Sequence, residues 1–151
     1  MKMLPRHALV ALLALPLAAC QPQASDTVSV TNAWVRLPAV QGRPGAAYFT
    51  VKGGAADDRL VAIKSAVVGR IELHEGGMHG GMMTMRPLSE VPVPAGKPVD
   101  FKPGGNHAML FDIDARITPG TELPLAFVLA SGKTVEVEAK SVAAGDAAPI
   151  P

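Results

Sequence analysis

Apolar and polar positions along the chain are organised in short runs, too short and too often interrupted for helices. Val28-Ser29-Val30 leads into Ala33-Trp34-Val35, and further β-branched or alternating runs occupy 46–52, 60–63, 67–74, 83–86, 99–102, 107–113, 123–129 and 134–139. Runs of this length and composition read as strands. Breakers stand between nearly all of them: Gly42-Arg43-Pro44, Gly53-Gly54, the stretch 92–98, Pro103-Gly104-Gly105, Pro119-Gly120 and Ser131-Gly132. No eleven-residue window keeps a 3.6-residue period free of breakers. Many short strands with closely spaced turns predict an all-β domain, a sandwich or a barrel. Within it, 134–139 reads as an edge-like strand with Val135 and Val137 inward and Glu136 and Glu138 outward. Asp57 and Asp58 read as a solvated turn.

The first nineteen residues do not belong to this pattern. Lys2 and Arg6 precede an apolar stretch, 8–17, that is shorter than the roughly 20 residues needed to span a bilayer. A charged start, a short apolar core and small residues at a cut site describe a secretory signal. Its end, Leu17-Ala18-Ala19-Cys20, resembles the lipobox of bacterial lipoproteins, in which the cysteine becomes the first mature residue and carries lipid. The alternative is an ordinary signal cut nearby, leaving a free thiol. Cys20 is the sole cysteine, so no disulfide can form within the chain. The expected organisation is a signal peptide at 1–19, a lipid-anchored tether at 20–26, one β-sandwich domain at 27–142 and a disordered Ala/Pro-rich tail at 143–151. Lipid is the only expected membrane contact. Gln21 in place of Asp after the lipidated cysteine favours the outer over the inner membrane.

Charge changes the picture little. Of 14 basic residues, Lys2 and Arg6 leave with the signal, and the remaining 12 face 13 acidic ones. That near-balance offers no footprint for nucleic acid. No Gly-X-Ser-X-Gly, Walker or His-Glu-X-X-His motif occurs, so an enzyme is not expected.

One segment stands apart. From His74 to Met85 the chain reads His-Glu-Gly-Gly-Met-His-Gly-Gly-Met-Met-Thr-Met, and every methionine and histidine beyond the signal lies between residues 74 and 109. Gap-filling methionines would be scattered over the strands; concentration among histidines points to coordination. Thioether sulfur is a soft donor that selects copper(I), whereas imidazole serves several metals. Zinc sites lean on cysteine, and calcium or magnesium on clustered oxygens. His107 and Met109, two apart on a strand, share a face. A hairpin closed by the Gly-rich segment would end one strand at His74 and set it opposite Met85. His74, Met85, His107 and Met109 are therefore the candidate copper(I) ligands. Met78, His79, Met82 and Met83 could form a second site, shuttle metal to the first, or belong to a solvated loop. Trp34, Tyr48 and Phe111 read as core, and Arg86 and Asn106 as residues flanking the ligands, either orienting them or simply solvated.

These residues resemble the PCuA(C) family of periplasmic copper chaperones, whose signature is His, ten residues, Met, twenty-one residues, then His-X-Met. His74 is followed by ten residues and Met85, then by twenty-one residues and His107-Ala108-Met109. Ala33-Trp34-Val35-Arg36, Met85-Arg86-Pro87 and Pro103-Gly104-Gly105-Asn106-His107 match as well. Glu75 stands where many members carry Met. The resemblance implies a cupredoxin-like Greek-key β-sandwich on the periplasmic face of a membrane, with copper(I) held by those four side chains. It also implies delivery toward the CuA centre of cytochrome c oxidase, with an oxidase subunit or a Sco-type protein as partner. Two other readings stay open: a copper-sequestering resistance lipoprotein, and a β-sandwich assembly module without metal.

Overall fold

The computed structural model describes residues 27–149. The expected signal, Cys20 and the tether lie outside them. The described residues form ten strands: β1 (Ser29–Arg36), β2 (Gly45–Lys52), β3 (Asp58–Lys64), β4 (Val68–His79), β5 (Met82–Leu88), β6 (Val91–Val93), β7 (Pro98–Phe101), β8 (His107–Ile113), β9 (Glu122–Leu129) and β10 (Thr134–Val142). Among the described residues no helix is long and apolar enough to cross a membrane.

Hydrogen-bonded ladders join the strands in the order β5-β4-β8-β2-β1-β10-β9-β3-β6, with β7 also on β2. Phe49 of β2 and Phe127 of β9 lie three ladders apart in this order, yet their rings meet edge to face at 4.7 Å. The sheet therefore folds over on itself into a β-sandwich, as expected. Phe49 also stacks on Phe101 at 4.2 Å, and Val35, Ala47, Val51, Leu60, Leu110 and Leu125 fill the space around these rings. β1 joins the two halves, antiparallel to β2 and parallel to β10. Its ladder is broken between Thr31 and Trp34, where Asn32 takes φ 54°. Such a bulge bends a strand and sharpens its twist.

Three sequence expectations need correction. β10 is an interior strand, flanked by β1 and β9, although Glu136 and Glu138 do face solvent. β6 was hidden because Pro92 interrupts it. At the end of the strand order an exposed proline costs no ladder bond, while Val91 and Val93 reach the core. Finally, residues 143–149 add no strand, but Ala143 to Asp146 form an ordered turn. The Asp146 N–H donates to the Ala143 carbonyl at 3.1 Å, and the Ala143 N–H to the Asp146 carboxylate at 3.1 Å.

Candidate metal centre

β7 and β8 share one edge of β2, with Phe101 opposite Phe49 and Ala108 opposite Ala47. Residues 102–107 must therefore bulge out opposite Tyr48 alone. Pro103-Gly104-Gly105-Asn106 makes that bulge, with Gly104 at φ 81°, a backbone conformation that favours glycine. The Lys102 N–H donates to the Asn106 carbonyl at 2.8 Å and the Gly105 N–H to the Lys102 carbonyl at 3.0 Å. The loop turns the Gly105 carbonyl toward two donors, His107 Nδ1–H at 2.9 Å and the Gly76 N–H of β4 at 3.1 Å. One oxygen thus fixes an imidazole and pins a neighbouring strand. A side chain at residue 76 would crowd it, since a Cβ there would lie 3.0 Å from the same oxygen.

His74 is paired directly with His107 across the β4–β8 ladder, ring centroids 5.9 Å apart. Its Nε2–H donates to Glu72 at 3.1 Å, and Glu72 also accepts from Arg70 at 2.8 Å. The other nitrogen, His74 Nδ1, is buried and has no hydrogen-bond partner. A buried polar atom without a partner is costly, and this one has a lone pair free to take a ligand. Both imidazoles thus have one nitrogen engaged by protein oxygen and the other lone pair left for a ligand, the arrangement by which outer partners orient metal-binding histidines.

The sulfurs lie on the same outward face. Ladder partners and alternate residues share a face, which groups His74, His107 and Met109 with Met85, opposite Gly76. Met83, Met85, His107 and Met109 line a single pocket of about 380 Å³, with Arg36 and Tyr48 on its wall. Trp34 and Tyr48 are buried as expected, but on this outward face, in contact with each other and beneath the Arg36 guanidinium, 5.0 Å from the Trp34 ring. Arg36 also donates to the Asp146 carbonyl at 3.3 Å, which brings the C-terminal turn to the pocket's edge. The expected strand end at His74 is wrong. β4 continues to His79, and Gly80-Gly81 form a two-residue turn with both φ positive. His74 therefore pairs with Pro87, and Met85 with Gly76, two residues off the expected register but still on one face.

Other candidates are placed elsewhere. His79 pairs with Met82, and Glu75 with Arg86, on the opposite face of the hairpin, where Arg86 forms an ion pair with Glu75 and orients no ligand. Asn106 acts through its backbone carbonyl. Phe111 is half-buried under Arg70, 4.2 Å away. Asp57 lies exposed after a bend, as expected, Asp58 opens β3 and is partly exposed, and both also brace neighbouring segments. Asp57 accepts from the Ala95 N–H at 2.7 Å, and Asp58 from Ser131, a hydrogen bond that holds the Asp58 carboxyl below the usual range. A larger cleft of about 500 Å³ between Leu37, Ile113 and Ala143 contains no sulfur or imidazole donor. Its Asp114 is held at about 2 by hydrogen bonds from Arg116. Among the described residues no three His, Cys, Asp or Glu side chains cluster as a metal site. In the sequence Glu72 is marked only by its position two residues before His74 on a strand, which places it on the same face.

Residues 28–141 match the LpqE-like family, described as "Putative lipoprotein LpqE-like". The chain is 31% identical over 126 residues to "Putative lipoprotein Lxx21020" of Leifsonia xyli subsp. xyli, covering 82% of this chain and 75% of that protein. Among solved structures it is similar to the copper-bound PCuAC domain from PmoF2, with TM-score 0.64 and 22% identity over 77% of this chain and 92% of that one. It is also similar to the solution structure of CuI-DR1885 from Deinococcus radiodurans, with TM-score 0.56 and 22% identity over 83% of each chain. The fold is thus the cupredoxin-like β-sandwich of PCuAC domains.

Proposed function

The chain belongs to the LpqE-like family, and from that premise we propose that it is a copper(I) carrier that takes up the ion at His74, Met85, His107 and Met109 and passes it on by ligand exchange. The carrying observation is the buried, unpartnered Nδ1 of His74 beside a His107 ring whose Nδ1 is engaged by the Gly105 carbonyl. Two imidazole lone pairs and two thioethers form a neutral, soft-to-borderline donor set, which suits copper(I). Arg36 adds a fixed positive charge on the pocket wall, and that charge opposes a divalent ion more than a monovalent one. The likeness to domains titled as copper-bound supports the same reading.

Transfer is favoured over storage by the exposure of Met85, at 55% against 9% for His107. An incoming ligand can reach the ion from the thioether side. In this proposal Cys20 carries lipid that holds the domain at the periplasmic face of a membrane, the outer one by the absence of Asp after Cys20. The acceptor is the CuA centre of cytochrome c oxidase, reached directly or through a Sco-type protein. Anaerobic chelator competition tests the first part, with one copper(I) per chain bound more tightly than micromolar as the expected result. Weaker binding would refute it. Deletion of the gene at limiting copper tests the second: CuA loading should fall, and unchanged loading with raised copper sensitivity would favour sequestration.

A further inference from the structure

The hairpin beyond the central site divides its soft donors between two faces. β4 leaves β8 after the His74–His107 pair, and residues 78–87 are exposed along both strands of the ribbon. The turn closes on His79 and Met82, so the next pair inward, Met78 and Met83, falls in the non-hydrogen-bonded position of the ladder. There, facing side chains approach most closely, with Cβ atoms about 5 Å apart, a span two flexible thioethers can close on one ion. Met78 and Met83 stand on the face that carries Met85, and Met83 lines the same pocket as Met85, His107 and Met109. Met82 and His79 stand on the other face with Glu75 and Arg86.

Methionines in this position are not explained by packing. Met78 is 65% and Met83 75% exposed, and with Met82 and Met85 they make up all but one of the exposed large apolar side chains among the described residues. Solvated hairpin tips gain nothing in folding from exposed thioethers, whereas soft-metal exchange requires them to be accessible.

We propose that Met78 and Met83 form a second, two-sulfur copper(I) site at the hairpin tip, through which the ion enters and leaves the central site. The inference rests on the copper(I) reading above and adds a route to it. Met83 and Met85 are two residues apart, about 7 Å along the strand. An ion gripped by the Met78–Met83 pair is handed inward as the bond to Met78 sulfur breaks and one to Met85 sulfur forms. Copper stays monovalent throughout, and no proton or electron moves. His79 and Met82 take no part, because the ribbon itself separates them from the pocket.

The test is an anaerobic copper(I) titration of protein carrying 13C-methyl methionine, read from the methionine methyl resonances. The first equivalent should shift Met85 and Met109, and the second should shift Met78 and Met83 together while Met82 stays in place. Met78 and Met83 unmoved through two equivalents, or Met82 moving with them, would overturn the proposal. In the Met78→Leu variant the first-equivalent affinity should stay within about twofold, while release of copper(I) to a competing chelator slows about tenfold. Unchanged release would count against the route. His107→Ala in the same titration separates the two readings. It should abolish the first-equivalent shifts and leave the Met78–Met83 response, whereas intact first-equivalent binding would sink the central site alone.

Discussion

The two halves of the candidate centre are built by opposite means. The imidazole half is braced: His107 is buried and held by the Gly105 carbonyl, and His74 is held by Glu72, which is itself shared with Arg70. The thioether half is exposed, with Met85 on β5 at the end of the strand order among the described residues, and Met78 and Met83 beyond it in solvent. The contrast suggests a division of labour. On the proposed reading, oriented nitrogens would supply affinity with little reorganisation, and exposed sulfurs would let an ion be exchanged without opening the fold.

Substitutions in each half should separate the two contributions. The largest effect is expected for His107→Ala, with copper(I) affinity in chelator competition falling about 1000-fold, some 4 kcal/mol. That variant also removes a buried hydrogen bond to Gly105, so its melting temperature should fall even without metal. Glu72→Ala should weaken binding by about tenfold to 100-fold, the range for loss of a partner that orients a ligating histidine. An effect below twofold would show that His74 needs no bracing. Met85→Leu should lower affinity by only about tenfold and leave the metal-free melting temperature unchanged, because the exposed side chain packs on little. If Met85→Leu cost more than His107→Ala, the assignment of affinity to the imidazoles would be reversed.

The smallest effect belongs to a site remote from both halves. Asp58 accepts from Ser131, and its carboxyl is held below the usual range in the folded protein. Its contribution to stability is therefore present above the unfolded-chain value, about 3.9, and is lost as pH falls through the lower folded value. Asp58→Asn should cost less than about 1 kcal/mol at neutral pH after solvent screening. The gap from the unsubstituted protein should close on acidification, with copper affinity unaffected.

Most strands could be read in the sequence because their apolar runs and breakers coincide with the ladders. The exceptions have local causes. Pro92 masked β6, which an outermost strand can accommodate, and the clean alternation of β10 reflects one solvated face rather than a sheet edge. At the candidate site, residue types and spacing identified the four side chains that lie on one face, but not their register. Gly76-Gly77 and Gly80-Gly81 both look like turns in sequence. Only the fold shows that Gly76 stays extended, because its N–H is needed by Gly105 and a Cβ would press on that carbonyl. The separation of Met78 and Met83 from His79 and Met82 follows from that register, so it could not be drawn from composition.

The decisive measurement is X-ray absorption of the protein loaded with one equivalent of copper(I). A monovalent edge with two imidazole nitrogens and two thioether sulfurs around copper is expected, with loss of imidazole scattering in the His74→Ala/His107→Ala variant. A shell of sulfur alone, or an imidazole signal that survives that double substitution, would contradict it.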